Sequence, residues 1–586
     1  MTYTAPVDDI LSALKTVAHL DARLANGLYP GLDADTIRAV LEEAGKFASD
    51  VLAPLNQSAD RAGLKLVDGV VETPPGFREA YNQFAAGGWT ALPCPETYGG
   101  QGLPEIVSAP VGEIWNAANL AFGVCPLLTQ GAIHAIEVGG SDALKETYLP
   151  KMVSGQWTGT MNLTEPHAGS DLSVIKSRAE PQLDGTYRIT GTKIFISYGE
   201  HDMVENIIHL VLARLPDAPE GTRGISLFLV PKYLLNADGS LGSRNDVVCA
   251  GIEHKLGIKA SPTCVMKFGE QGGATGYLVG EENRGLATMF VMMNQARLAV
   301  GMQGVAIAER ATQRAIAFAN ERTQGRASSS NGPGMAPIVA HPDVRRMLMA
   351  MKSTTQAARM ICLATAAALD LAAFSTDAVE AKAARNLAAL LTPIGKAFAT
   401  DSAVEVASLG IQVHGGMGFV EETGAAQHMR DARILPIYEG TNGIQAIDLI
   451  TRKIGIEGGA VIKAYLAEIA SVADQVQAAD NPAFGRMAAN LKDGLGALTV
   501  ATRWTAKALS ENPDAALAGA TPYLRVFALV AGARYLAETA LRPDATAAEI
   551  ALARFFAENC LTAAPGLADT AMNGAATLFA DGGALA

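Results

Sequence analysis

Between Gly159 and Val279 the chain changes its hydrophobic period, and this change constrains the fold more than any other feature. Residues 187–197 (Tyr-Arg-Ile-Thr-Gly-Thr-Lys-Ile-Phe-Ile-Ser), 207–214 and 225–230 alternate or run apolar at strand length, divided by glycine-rich turns. Residues two apart share one face of a strand, so such segments form sheets. On both sides the apolar residues return at three- and four-residue spacing, the helical period. Residues 35–48 read as an amphipathic helix, and Pro74-Pro75-Gly76 and the glycine-rich 98–102 break helices apart. Long amphipathic stretches then cover 287–322, 343–371 and 379–409, with a flexible surface loop expected at 327–337. Beyond 452 alanine-rich helices continue to a disordered-looking tail at 582–586. The fold class is therefore α+β: an N-terminal helical domain (1–158), a β-domain (159–281), a helical bundle (282–456) and an extra helical domain (457–586).

A chain of 586 residues exceeds one ordinary core, which fits several domains. Its net charge of −13 argues against general nucleic-acid binding. Six cysteines are scattered without metal-finger spacing, so they read as buried thiols of a reducing cytoplasm, and no metal site is expected. The N-terminus lacks the basic and apolar regions of a signal peptide, and no membrane span is expected from the apolar runs. A soluble, cytoplasmic protein is the expectation.

The chemistry concentrates at Met429-Arg-Asp-Ala-Arg-Ile-Leu-Pro-Ile-Tyr438-Glu439-Gly440-Thr441-Asn442-Gly443. A carboxylate held on an apolar run loses hydration, which raises its pKa and makes it a better base. Gly440 and Gly443 permit close approach of a ligand, and Thr441 and Asn442 offer polar contacts beside it. Taken alone, a Tyr-Glu-Gly turn is an ordinary loop, and its company decides. Thr164-Glu-Pro-His-Ala-Gly-Ser170-Asp clusters hydroxyls and backbone donors that suit a planar heterocycle or a phosphate. Phe195 and Ser197 place an aromatic face and a hydroxyl on one side of a strand, and Gln412-Val-His-Gly-Gly416 can bring backbone close to a ligand.

Read in order, these segments resemble the acyl-CoA dehydrogenase family. The likeness runs from about 35 to 455 and includes Asn283-Arg-Gly, Glu321-Arg322, Gln412-x-x-Gly-Gly-x-Gly-Phe and the Arg-Asp-Ala-Arg to Glu-Gly-Thr run. It implies FAD as cofactor and Glu439 as the base that takes the α-proton of an acyl-CoA thioester, the β-hydride passing to flavin N5 to give the trans-2-enoyl-CoA. The thioester oxygen then needs hydrogen bonds, which the family supplies from the base's own N–H and a ribityl hydroxyl. Some branches carry the base one residue before an arginine on a helix. Here that position is Ala296, which leaves Glu439 as the sole candidate.

The same likeness assigns Leu163 and Thr164 to the flavin edge, Phe195 and Ser197 to its ring, and Ser170 to the pyrophosphate and the substrate. Arg322, Gln412, Gly416 and Thr441 would serve the nucleotide side of FAD, several of them across a dimer interface; a guanidinium fork suits a pyrophosphate. Asn294, Arg297, Tyr438 and Gly440 would contact the acyl-CoA. Asn294 stands where the family has aspartate, the segment after Arg322 is shortened to Thr-Gln-Gly325, and Gly443 replaces a residue that often contacts FAD. The expected partners are the acyl-CoA, an electron-transfer flavoprotein and a second copy of the chain, as a homodimer or dimer of dimers.

Residues 457–586 exceed the basic family plan. With 13 acidic and 9 basic residues the segment carries −4, unlike the basic extra domain of a DNA-associated branch. A helical extension packed on the body is the plainer reading. The loop pattern plus this extension is similar to the 3-methylmercaptopropionyl-CoA dehydrogenase branch, which gives methylthioacryloyl-CoA in dimethylsulfoniopropionate breakdown. A general short- to long-chain acyl-CoA dehydrogenase of fatty-acid oxidation, an acyl-CoA oxidase and a nucleic-acid-associated relative stand as alternatives.

Overall fold

The computed structural model describes residues 3–327, 334–578, 580 and 582–584, with Val291 and Asn294 described by backbone alone. Two compact units divide the chain. One gathers Met1–Gly45, Glu105–Ala117 and Val300–Ala586, the other Lys46–Pro104 and Ala118–Ala299.

The second unit is built on an eight-stranded sheet. Its strands run in the spatial order Val247–Ile252, Thr263–Phe268, Tyr187–Ser197, Ala274–Leu278, Ile225–Pro231, Asn206–Arg214 and Trp157–Asn162, with Arg178–Pro181 pairing Tyr187–Ser197 beside this path. Neighbours are antiparallel apart from Trp157–Asn162 against Asn206–Arg214 and a single Arg178 to Arg214 pair. Ile225–Pro231 is buried at every residue and Asn206–Arg214 at all but its last, so their apolar runs reflect cover on both faces. Tyr187–Ser197 bulges where Cys264 opposes Ile196 but Met266 opposes Lys193, and Phe195 there is left-handed (φ 59°). Simple alternation therefore fails at that point. The helix Leu120–Gly139 starts at Asn119, whose side chain accepts from Phe122 N at 3.1 Å. Outside the expected β-domain, the sequence periods missed the hairpin of Lys65–Val67 with Val70–Glu72, whose Val71 packs into the sheet's core.

The first unit is helical. Pro342–Phe374 and Ala378–His414 form an antiparallel pair, and the Asp377 side chain caps the second helix by accepting from Val379 N at 2.8 Å. At its centre Arg359, 1% exposed, pairs with Glu113 at 2.7 Å and Glu309 at 2.8 Å. Three buried charges persist because each has an opposite partner and hydrogen bonds. Asp370 accepts from Glu105 N and Ile106 N at 2.7 and 2.9 Å, capping the helix Glu105–Ala118.

The extension forms Ala460–Ala478, Met487–Glu511, Pro513–Ala518, Ala520–Leu541, Ala547–Asn559 and Ala564–Asn573 and packs on the bundle within this unit. Gly532 lets Ala520–Leu541 lie so close to Pro342–Phe374 that a Cβ on it would stand 2.9 Å from Ala357 Cβ. Arg525 pairs with Glu405 at 2.7 Å and lies over the Phe398 ring. Arg542 donates to Ser12 O at 2.6 Å, and the hydroxyls of Thr16 and Thr539 meet at 3.1 Å.

The helices expected over 287–322, 343–371 and 379–409 are Gly285–Glu321, Pro342–Phe374 and Ala378–His414. Of the expected loop, 328–333 lie outside the described residues, as do 585–586 of the expected tail. Among the described residues, Leu120–Gly139 and Pro342–Phe374 are long and apolar enough to cross a membrane, and 72% of each apolar window is buried inside the protein.

Candidate active site

In the β-containing unit, Leu163 and Thr164 follow the strand Trp157–Asn162 and are tied to the bulged strand. Ile194 N donates to Thr164 O at 2.9 Å, and Lys193 Nζ donates to Leu163 O at 3.0 Å. Thr160 Oγ1 donates to Ser197 O at 2.7 Å. Leu163, Thr164, Phe195 and Ser197 are thus brought together. The Phe195 ring is 59% exposed, a wide apolar face left open, and the half-exposed hydroxyls of Thr164 and Ser197 make no hydrogen bond among the described residues.

Ser170 is exposed on the loop that follows, and Glu165 shapes that loop. The Glu165 carboxylate, 3% exposed, accepts from Lys193 Nζ at 2.8 Å, Ser177 Oγ at 2.6 Å, Ser177 N at 3.0 Å and Lys176 N at 2.7 Å. Burial pushes its pKa up, but Lys193 and these donors outweigh burial and hold it below the usual carboxylate range. Sequence reasoning missed Lys193 and Glu165 as a pair. The available signal was a lone lysine in an apolar strand. In the same unit the helix beginning at Gly285 carries Asn294, whose side chain lies outside the described residues, and Ala296 and Arg297, which are buried.

In the helical unit, three of the four candidate nucleotide-side residues, Arg322, Gln412 and Gly416, lie on segments joined by the Phe318–His414 contact, while Thr441 lies on the Glu439 loop. Arg322 is exposed just past Gly285–Glu321, with Nη2 at 3.3 Å from Gln324 Oε1. One turn earlier the Phe318 ring stacks on His414 at 4.4 Å, and Gln412 and Gly416 flank His414 and are exposed. His414 is itself buried, its Nδ1 at 2.7 Å from Gly410 O, and burial lowers its pKa. A Cβ at Gly416 would meet nothing within 4 Å, so its backbone is open to approach.

Glu439 lies between Tyr438 and Gly440 on a loop whose two successive residues, Glu439 (φ 58°) and Gly440 (φ 80°), are both left-handed. It is half-buried. The apolar run before it splits, with Leu435 fully buried and Ile437 49% exposed. Tyr438 O–H donates to Gln303 Oε1, and Gln303 Nε2 donates to Asn116 Oδ1 at 3.0 Å. Burial and the neighbouring Glu439 charge push the Tyr438 phenol well above its ordinary value.

Lys396, 1% exposed on Ala378–His414, donates to Leu435 O at 3.0 Å, Gly440 O at 2.9 Å and Asn442 Oδ1 at 2.9 Å. Thr441 caps the helix Asn442–Asp448, its hydroxyl accepting from Ile444 N at 3.2 Å. Asn442, expected to offer a polar contact to a ligand, is buried. Its amide donates to Asp401 Oδ1 at 2.8 Å and Thr400 Oγ1 at 2.9 Å, because these helix groups and Lys396 satisfy it fully.

Four domain models match the chain: "Acyl-CoA dehydrogenase, N-terminal domain" over residues 34–156, the middle domain over 160–270, the C-terminal domain over 283–455, and "Acetyl-CoA dehydrogenase C-terminal like" over 465–580. The 3-methylmercaptopropionyl-CoA dehydrogenase of Ruegeria pomeroyi is 48% identical, over 96% of this chain and 95% of that protein. A butyryl-CoA dehydrogenase of Syntrophomonas wolfei is 35% identical, over 94% and 91%. Among solved structures, Caenorhabditis elegans ACDH-11 in complex with C11-CoA superposes with a TM-score of 0.79 at 20% identity, over 96% of this chain and 92% of that one.

Proposed function

The chain belongs to the acyl-CoA dehydrogenase family, and we propose that within its chemistry Glu439 is the base that removes the α-proton of the acyl-CoA. The observation that carries this reading is the backbone at Glu439. A non-glycine residue in the left-handed region costs roughly 1–2 kcal/mol, and such residues persist where surrounding contacts over-determine them. Here the flanking segments are held by Lys396, Gln445 and Thr441, which presents the carboxylate half-exposed at the tip of a braced loop. Ala296 carries no carboxylate, so the alternative helix position is empty of a base.

FAD fits the residues present. Phe195 offers an exposed aromatic face, with the uncommitted hydroxyls of Thr164 and Ser197 beside it and Leu163 at the edge. Ser170 and the exposed Arg322, Gln412 and Gly416 are assigned to phosphates and ribose, as is the half-buried Thr441, whose hydroxyl also caps its helix. When bound, FAD supplies the two-electron acceptor for the β-hydride. The chain's residues bind and orient it and hold the proton on Glu439, while Tyr438, Gly440, Arg297 and Asn294 are assigned to the acyl-CoA.

The preferred substrate is 3-methylmercaptopropionyl-CoA, supported by the 48% identity over nearly the whole length of both chains. Loss of the α-proton and β-hydride gives methylthioacryloyl-CoA, in which the sulfur lone pair conjugates with the new double bond. The second reading, a short-chain acyl-CoA dehydrogenase, is favoured by the 35% identity to a butyryl-CoA enzyme. An electron-transfer flavoprotein as acceptor, a cytoplasmic location and a homodimer or dimer of dimers complete the proposal, as does the four-domain division at 158, 281 and 456. The 87% exposed Phe419 next to Gln412 and Gly416 suits a covered interface.

Anaerobic flavin bleaching by a panel of acyl-CoAs tests this reading. The methylthio thioester should reduce the flavin fastest, and Glu439→Gln, near-isosteric but without the basic oxygen, should abolish bleaching. Normal flavin reduction in that variant would remove the base assignment. Peroxide release without another acceptor would indicate an oxidase.

A further inference from the structure

We infer that Lys396 is a positioning residue for the base: its buried ammonium clamps both ends of the loop that carries Glu439. The inference rests on Glu439 as base. An ammonium has three N–H donors, and three acceptors meet them, Leu435 O, Gly440 O and Asn442 Oδ1, all within 2.9–3.0 Å. Leu435 lies four residues before Glu439 and Gly440 one after it, so the chain leaves and returns to the same cation. Hydrogen bonds from a cation are roughly twice as strong as neutral ones, and burial shields these from water.

The clamp is itself braced. Asn442 N donates to Pro436 O at 3.0 Å, closing the base of the loop. The Asn442 amide grips the helix that carries Lys396, through Ala397 O at 3.2 Å, Thr400 Oγ1 at 2.9 Å and Asp401 Oδ1 at 2.8 Å. Thr400 Oγ1 in turn donates to Lys396 O at 2.8 Å. One helical turn therefore holds the loop on both sides of two consecutive left-handed residues, a conformation that local propensity alone does not favour.

The function of this arrangement is geometric. A general base works within hydrogen-bond reach of its proton, and a 1 Å misplacement costs on the order of 10²-fold in rate. Removing the ammonium leaves Leu435 O without its lysine donor and Gly440 O with only the longer 3.3 Å bond from Gln445 Nε2, so the loop relaxes and the carboxylate is displaced, with Tyr438 and Gly440 on the same loop.

The test uses full-length, FAD-loaded enzyme and follows α-hydrogen exchange of acetyl-CoA in D2O by mass spectrometry. Acetyl-CoA has no β-hydrogen, so exchange reports the base apart from hydride transfer. Lys396→Met should lower exchange and kcat by about tenfold or more, with FAD content near wild type and KM changed by much less than kcat. Lys396→Arg, which keeps a cation and donors, should recover part of the loss. Wild-type exchange in Lys396→Met, or equal loss in both variants, overturns the inference. If Lys396→Met fails to fold, Asn442→Ala keeps the ammonium but removes one of its acceptors together with the amide's grip on the helix, and should lower exchange in the same direction. Unchanged exchange there also overturns it. Glu439→Gln separates the two claims, because persistent exchange in that variant would refute the base itself. Abolished exchange there with a wild-type Lys396→Met would refute only the clamp.

Discussion

Lys193 Nζ and Glu165 Oε1 form an ion pair 2.8 Å apart, with the two side chains 0% and 3% exposed. The pair fixes the loop on which Leu163 and Thr164 sit, since Lys193 also donates to Leu163 O. Removing one member strands the other's charge in the interior, which costs about 3–5 kcal/mol. Lys193→Met should therefore lower the denaturant midpoint markedly and reduce FAD retention, both measurable by flavin fluorescence during unfolding.

The same pair sets an acid limit. Glu165 titrates below its ordinary range, so its contribution is complete above the unfolded carboxylate value, near pH 4.3, and is lost as pH falls through the lower folded value. Wild-type stability should fall over that acid window. In Lys193→Met, where Glu165 has lost its cation, the pH dependence should be flatter or reversed in sign; a series of urea melts between neutral and acid pH measures it.

The extension is packed too closely on the bundle to tolerate bulk at Gly532, where a Cβ would stand 2.9 Å from Ala357 Cβ and 3.5 Å from the Phe556 ring. Over-packing of this kind costs about 1–3 kcal/mol. Gly532→Val should lower the thermal midpoint, whereas Gly566→Ala, with nothing within 4 Å of the added carbon, should leave it close to wild type.

How much of this was legible in the sequence follows physical lines. The change from helical to strand period gave the order of elements, because the period depends only on which face each element buries. The Glu439 loop and the Phe195 bulge are another matter. A period of two predicts Phe195 and Ser197 on one face, but an extra residue opposite Val265 re-aims the strand, and nothing in Lys-Ile-Phe-Ile-Ser announces it. Asn442 read as a ligand contact because it sits beside glycines. Its partners, Lys396, Thr400 and Asp401, lie more than forty residues upstream, beyond any local pattern. Lys396 did leave a trace, a single cation in the apolar run 390–399, which in a helix implies a buried charge with partners.

Tyr438 holds its hydroxyl on Gln303, and Gln303 on Asn116, in one buried line. Leaving a buried phenol without its acceptor costs about 1–3 kcal/mol. Gln303→Leu should thus destabilise the protein and, if Tyr438 contacts the acyl-CoA as proposed, weaken acyl-CoA binding. Because burial and Glu439 raise the phenol above its ordinary pKa of 10.0, it stays protonated at working pH. The pH–rate profile of flavin reduction should then show no limb from Tyr438 below about pH 10, in wild type and in Tyr438→Phe alike.

Gly440 isolates the geometry of the proposed base, Glu439, from its chemistry. At φ 80° a Cβ is strained by roughly 1 kcal/mol, and the added carbon would stand 2.9 Å from Gln445 Nε2. Gln445 is a side chain that can yield, but it donates to Gly440 O at 3.3 Å and to Glu439 O at 3.4 Å, so its displacement loosens the loop. Gly440→Ala should retain FAD and fold, yet slow flavin reduction by about tenfold or more, because the carboxylate is intact but misplaced. Stopped-flow bleaching with saturating acyl-CoA measures the rate. A wild-type rate would mean that the loop tolerates a side chain at this backbone angle, and that the two left-handed residues do not set the position of Glu439.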